Sequence, residues 1–136
     1  MAAVEELIRI EADGALSFGN HRLQEKAKLE GVKYHGDFLK VKTYKTMTKL
    51  EKNGMFVYES VPGTSVNDFK ETETGIRFTV EGEEDAQLTI GLEAQAEYEV
   101  KINGESIGTM PTNVSGKLNV GVDFGRTDRV LVEIFK

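Results

Sequence analysis

The chain of 136 residues has no cysteine, no tryptophan, two prolines and two histidines. Without cysteine, disulfides, thiolate catalysis and thiolate metal sites are excluded. The histidines, His21 and His35, stand apart from each other and from any regular carboxylate pattern, so both read as turn or surface residues and not as ligands. No apolar run approaches the roughly 20 residues of a membrane-spanning helix. The opening Met1-Ala-Ala-Val-Glu-Glu lacks the basic and apolar regions of a secretion signal, so a cytoplasmic location is the default expectation, with a released form left open. A glycine-rich phosphate loop and a regular calcium loop are also missing. The acidic run Glu81-Gly-Glu-Glu-Asp85 reads as a solvated turn in preference to a calcium site. The expectation is therefore no catalytic set, no metal and no cofactor.

Charge is present but unevenly placed. The net charge is −6, yet residues 22–52 hold nine Lys/Arg against four Asp/Glu, whereas residues 53–136 hold seven against fifteen. A basic stripe on an acidic protein reads first as solvated surface. Its complementarity to the acidic remainder can also steer copies of the chain together. It is a weak basis for nucleic-acid binding, and no nucleic-acid partner is expected.

Turn chemistry carries most of the information. Asn53-Gly54 lies between two strand-like runs, and both residues accept the positive φ that a two-residue hairpin loop requires. Val61-Pro62-Gly63-Thr64 then ends the second strand. Asp13-Gly14, preceded by the alternation Ile8-Arg9-Ile10, marks another hairpin. Period-two alternation dominates residues 22–52, predicting strands joined at Glu30-Gly31 and Gly36-Asp37. Seven runs follow: 65–70, 76–80, 86–92, 96–102, 105–110, 117–123 and 129–135. They are separated at Thr74-Gly75, Gly82 to Asp85, Asn103-Gly104, Ser115-Gly116 and Gly125-Arg126. Short strands at such spacing are the mark of a sandwich or barrel. The predicted fold is all-β, with N-terminal β-hairpins in residues 1–62 and a C-terminal Greek-key β-sandwich in residues 63–136, or one continuous domain.

Two hairpins differ in their faces. A regular ladder from Asn53-Gly54 sets Lys52 against Met55, Leu50 against Val57 and Lys49 against Tyr58. One face then holds Leu50, Met55 and Val57; the other holds Met47, Phe56 and Tyr58 beside Lys49 and Glu51. Both are substantially apolar. Either other strands of the chain cover the second face, or Met47, Lys49, Phe56 and Tyr58 form a contact surface for another subunit or a ligand. The ribbon around Asn103-Gly104 instead sorts Tyr98, Val100, Ile102 and Ile107 from Glu97, Glu99, Lys101 and Ser106, an ordinary half-buried pattern.

Leu92-Glu-Ala-Gln-Ala-Glu-Tyr98 resembles the tyrosine corner of fibronectin type III domains, with Ala94 and Ala96 where that pattern favours Pro and Thr. The resemblance implies an immunoglobulin- or fibronectin-like Greek-key sandwich over about 70 residues, with Leu92 and Tyr98 as a structural corner whose Tyr hydroxyl bonds upstream backbone at a crossover between sheets. It implies no function. The run from Leu50 to Thr64, with Glu84-Asp85-Ala86-Gln87 and Tyr98-Glu-Val-Lys, resembles a group of short bacterial proteins that carry the name endosialidase. That name implies sialidase chemistry, but no catalytic residue carries over. The chain is too short for a sialidase propeller and has five arginines, no tryptophan and no Asp-box. The functional expectation is a non-enzymatic structural or interaction protein that associates with copies of itself. The alternative is a carbohydrate-binding module stacking glycan on Tyr44, Phe56 or Tyr58, and more remotely a sialidase-type glycosidase.

Overall fold

The computed structural model describes residues 3–125 and 129–136. Among the described residues, alternating side chains resolve into thirteen strands and no helix. In chain order these are β1 (Ile8–Ile10), β2 (Leu16–Phe18), β3 (Ala27–Tyr34), β4 (Asp37–Tyr44), β5 (Met47–Lys52), β6 (Met55–Val61) and β7 (Ser65–Glu71). They continue with β8 (Gly75–Glu81), β9 (Ala86–Gly91), β10 (Glu97–Ile102), β11 (Glu105–Pro111), β12 (Lys117–Val122) and β13 (Arg129–Phe135).

The strands form two antiparallel sheets packed as a sandwich. The first has seven strands in the order β1-β2-β7-β8-β13-β10-β11; the second has six in the order β12-β9-β6-β5-β4-β3. Each sheet draws strands from both residues 1–62 and residues 63–136. Every second residue of the inner strands points into the space between the sheets. Phe18, Leu39, Leu50, Tyr58, Phe78, Leu88, Ile90, Leu118 and Ile134 are fully buried there. Tyr58 lies at the centre of an aromatic chain, 5.3 Å from the Phe18 ring and 5.8 Å from the Phe78 ring, both edge to face.

The Asn-Gly turns form as the sequence predicts. Asn53 and Gly54 have φ of 53° and 78°, and Asn103 and Gly104 have 52° and 86°. Two other expectations are corrected. The turn after β3 is His35-Gly36, one residue earlier than Gly36-Asp37. Glu30-Gly31 is not a joint: Gly31, at φ 75°, is the extra residue of a bulge inside an unbroken β3. A glycine in a strand signals a bulge as readily as a turn, and here the bulge wins. The turn expected at Gly125-Arg126 runs into residues 126–128, which lie outside the described residues.

The chain passes from the second sheet to the first through Val61-Pro62, a cis peptide, and Gly63. A Cβ at Gly63 would sit 1.9 Å from the Tyr44 carbonyl oxygen, so only glycine lets the crossover lie this close to the end of β4.

Candidate functional site

The hairpin built on Asn53-Gly54 departs from a regular ladder three residues past its turn. Lys52 pairs with Met55 and Glu51 with Phe56, but Leu50 pairs with Tyr58 and Lys49 with Glu59. Val57 is the extra residue of a bulge, and everything beyond it changes face. Tyr58 therefore joins Leu50 in the core with none of its surface exposed. This corrects the expectation that Tyr58 belongs to an outer contact surface, and it removes the ring as a platform for sugar.

The Tyr58 hydroxyl is held in a buried chain of hydroxyl groups. It lies 2.7 Å from Thr64 Oγ1, which is 2.7 Å from Ser60 Oγ. Thr48 Oγ1 donates to the Thr64 carbonyl at 2.7 Å and lies 2.8 Å from Thr43 Oγ1. Thr43 Oγ1 in turn accepts the Asn20 N–H at 2.9 Å. Burial pushes the Tyr58 phenol far above its ordinary pKa, only partly offset by its bonds to Thr64 and Ser60. Alongside, the His21 Nδ1 lies 2.7 Å from Ser65 Oγ. Among the described residues no buried side-chain nitrogen or oxygen is left without a partner. These groups satisfy one another and hold the crossover in place.

The other three candidate interface residues stay on the outer face of the second sheet. Met47 and Lys49 are half-buried on the outer face of the second sheet, where Lys49 lies opposite Lys42, itself opposite Lys28. The Lys49 ammonium is 3.7 Å from Glu51. Phe56 sits under the Lys117 ammonium, 4.6 Å from the ring centre. Tyr44 is covered in the same way by Lys26 at 5.9 Å.

At the crossover from β9 to β10, Tyr98 is buried and its hydroxyl accepts the Glu93 N–H at 3.3 Å, while Leu92 packs against the core. Thr112 completes the corner: its hydroxyl accepts the Ala96 N–H at 2.9 Å and donates to the Glu93 carbonyl at 2.6 Å. Sequence reasoning missed Thr112, because nothing local marks a loop threonine as buried.

The outer face of the first sheet carries a polar cluster that was also missed. Arg9 Nε is 3.0 Å from Glu11 Oε2, and the Ser17 hydroxyl donates to the same carboxylate. Asn67 donates to the buried Glu81 at 3.2 Å. The Ser17 bond, and then Arg9, hold the Glu11 carboxyl below its usual range against the desolvation that would raise it. Such a group stays charged and accepts hydrogen bonds; it does not donate a proton near neutral pH. At the acidic turn, Glu83 and Glu84 are exposed and Asp85 accepts the Phe124 N–H at 3.2 Å. No group of three or more His, Asp or Glu among the described residues is arranged to hold a metal ion.

No family model, curated protein or solved structure matches the chain. No helix among the described residues is long and apolar enough to cross a membrane.

Among the described residues the sandwich has four edge strands, β1 and β11 in the first sheet and β12 and β3 in the second. An unpaired edge invites another strand unless it is short, charged, bulged or broken by proline. β1 has three residues. β3 carries Lys28, Glu30 and Lys33 and the Gly31 bulge. β11 is bulged opposite β10 and ends in Pro111. β12 has none of these devices beyond Lys117: Leu118-Asn-Val-Gly-Val122 is uncharged and pairs with β9 in unbroken register.

Antiparallel ladders bond alternate pairs. The Leu92 N–H donates to the Gly116 carbonyl at 2.7 Å, which sets the bonded pairs of β12 at Leu118, Val120 and Val122. The main-chain groups of Lys117, Asn119 and Gly121 consequently point away from β9. Asn113 Oδ1 already accepts the Lys117 N–H at 3.0 Å, leaving those of Asn119 and Gly121 on the free edge. The connection leading into β12 exposes Val114 by 75%.

Proposed function

We propose that the protein is a non-enzymatic structural element that associates with a second copy of itself through β12. The observation that carries this reading is the unprotected edge of β12 among three edges that are blunted. Two β12 strands can pair antiparallel about a two-fold axis at Val120, with Asn119 of each copy opposite Gly121 of the other. The Asn119 and Gly121 N–H groups then donate to each other's free carbonyls, and the second sheets join across the dimer. Gly121 has no side chain to crowd Asn119. The strand interior is uncharged, so the isologous pair brings no like charges together. Val114, in the connection leading into β12, adds exposed apolar surface.

Sedimentation equilibrium at micromolar protein tests the reading. The native chain is expected to behave as a dimer. Asn119→Pro removes an N–H that β9 does not use, so this variant should remain folded and sediment as a monomer. A native chain that is monomeric throughout the concentration range would defeat the proposal.

A further inference from the structure

The outer face of the second sheet is basic where β3, β4 and β5 lie side by side. Alternation sends Leu39, Val41 and Thr43 of β4 into the core, so Phe38, Lys40, Lys42 and Tyr44 point outward. The register sets Lys33 beside Phe38, Glu30 and Glu51 on either side of Lys40, and Lys28 and Lys49 on either side of Lys42. This area therefore holds five lysines against two glutamates. Both glutamates are engaged: Glu30 lies 3.8 Å from Lys40 and Glu51 lies 3.7 Å from Lys49. Glu59 of β6 borders the area opposite Lys49. Among the described residues, Lys28, Lys33 and Lys42 have no carboxylate partner.

Lys28, Lys42 and Lys49 form one row across three strands, about 5 Å apart from strand to strand. Like charges set directly opposite each other cost stability. A local cost of this kind is expected where a surface serves a partner, and the partner that removes it is anionic.

Apolar side chains on the same face narrow the kind of anion. Phe38 and Val61 both point outward, each is 55% exposed, and they lie at opposite ends of the basic area. Tyr44 and Met47, paired with each other beside Val61, are half-buried. The outward rings of Tyr44 and Phe56 are already covered by Lys26 and Lys117, so nucleic-acid bases find no free stacking platform on them. A soluble polyanion would engage the lysines and leave Phe38 and Val61 in water. An anionic bilayer takes both, with ammonium groups at the phosphates and apolar side chains at the acyl boundary.

We propose that the outer face of β3, β4 and β5 docks on an anionic lipid surface, with Lys28, Lys33 and Lys42 at the headgroups and Phe38 and Val61 in the interface. The contact is separate from the β12 edge and needs only one copy of the chain.

Co-sedimentation of the full chain with lipid vesicles tests the proposal. Vesicles of phosphatidylcholine and phosphatidylglycerol in equal parts are expected to carry the protein down at low salt, whereas phosphatidylcholine alone does not. Lys28→Gln and Lys42→Gln should each weaken binding roughly fivefold, the worth of one lysine near an anionic membrane. Neither should lower the thermal midpoint, because each relieves repulsion within the row. Phe38→Ser keeps the charge and should also weaken vesicle binding. Asn119→Pro should still prefer the anionic vesicles, which separates this contact from self-association. Equal binding to the two vesicle types, no binding to either, or full affinity in both lysine variants would overturn the proposal. Unchanged affinity in Phe38→Ser, with linear polyphosphate displacing the protein from vesicles, would assign the face to a soluble polyanion and overturn the lipid surface.

Discussion

Tyr58 shows how much a single extra residue decides. Strict alternation from the Asn53-Gly54 turn puts its ring outside, and the bulge at Val57 puts it inside. No residue type in that run announces a bulge, so the sequence could not reveal the change of face. The buried hydroxyl chain is similarly hard to foresee, since Thr43, Thr48, Ser60 and Thr64 read as ordinary polar positions until their partners across the sandwich are known. Tyr58→Phe removes one bond and leaves Thr64 with Ser60, so urea unfolding should show a loss of about 1 kcal/mol. Thr64→Val should lose more, roughly 1–3 kcal/mol, because it strips a partner from two buried hydroxyl groups. Equal losses would mean that Thr64 is not the hub. His21 supplies a pH dependence. Burial lowers its pKa from 6.5 in the first place, with Arg22 lowering it further and Glu83 opposing. The unfolded chain therefore binds the proton at higher pH than the folded one, and stability rises with pH across the interval between the two values. The His21 contribution is complete above the ordinary value and is lost as pH falls toward the depressed one. Thermal scans should show a falling midpoint from pH 7 to pH 5, with a shallower fall in His21→Gln. The depressed Glu11 carboxyl adds a separate loss at lower pH, starting near its ordinary value of 4.5.

Among the elements, the strands after Thr64 were legible because nearly every one is bounded by a glycine-containing turn and alternates cleanly. β7, β8 and β11 start or end within a residue or so of the predicted runs. β3 was misread because Gly31 supports a bulge as well as a turn. Tyr98, at the β9–β10 crossover, was singled out only through its resemblance to a fibronectin corner, while Thr112, which bonds the Glu93 carbonyl and the Ala96 N–H there, comes from a distant loop. Tyr98→Phe should cost about 1 kcal/mol through the lost bond to the Glu93 N–H, and amide exchange at Glu93 should quicken. The tightest constraint on any element is the approach of Gly63 to the Tyr44 carbonyl. Gly63→Ala forces a backbone shift against β4 and should destabilise by roughly 3 kcal/mol in denaturant unfolding. A variant as stable as the native chain would show that the crossover is looser than its geometry implies.

At the scale of the molecule, the all-β class was readable from the turns, while the assignment of strands to sheets was not. Partners such as β8 and β13, or β6 and β9, meet across long stretches of chain, and alternation alone does not choose between them. Residues 22–52 read as basic, but the alignment of Lys28, Lys42 and Lys49 in one row needs the register of three strands. The open edge at β12 is also a product of topology, because any strand of the set can be an edge until the order is known. Its composition then decides its character: uncharged, unbulged and lacking proline, beside three edges that are protected. The central claim, that this edge is completed by a second copy, is tested most directly by amide hydrogen exchange at Asn119 and Gly121. These two N–H groups point away from β9. The account predicts that their protection rises with protein concentration and vanishes in Asn119→Pro at Gly121. Exchange at the rate of exposed loop amides at every concentration would contradict it.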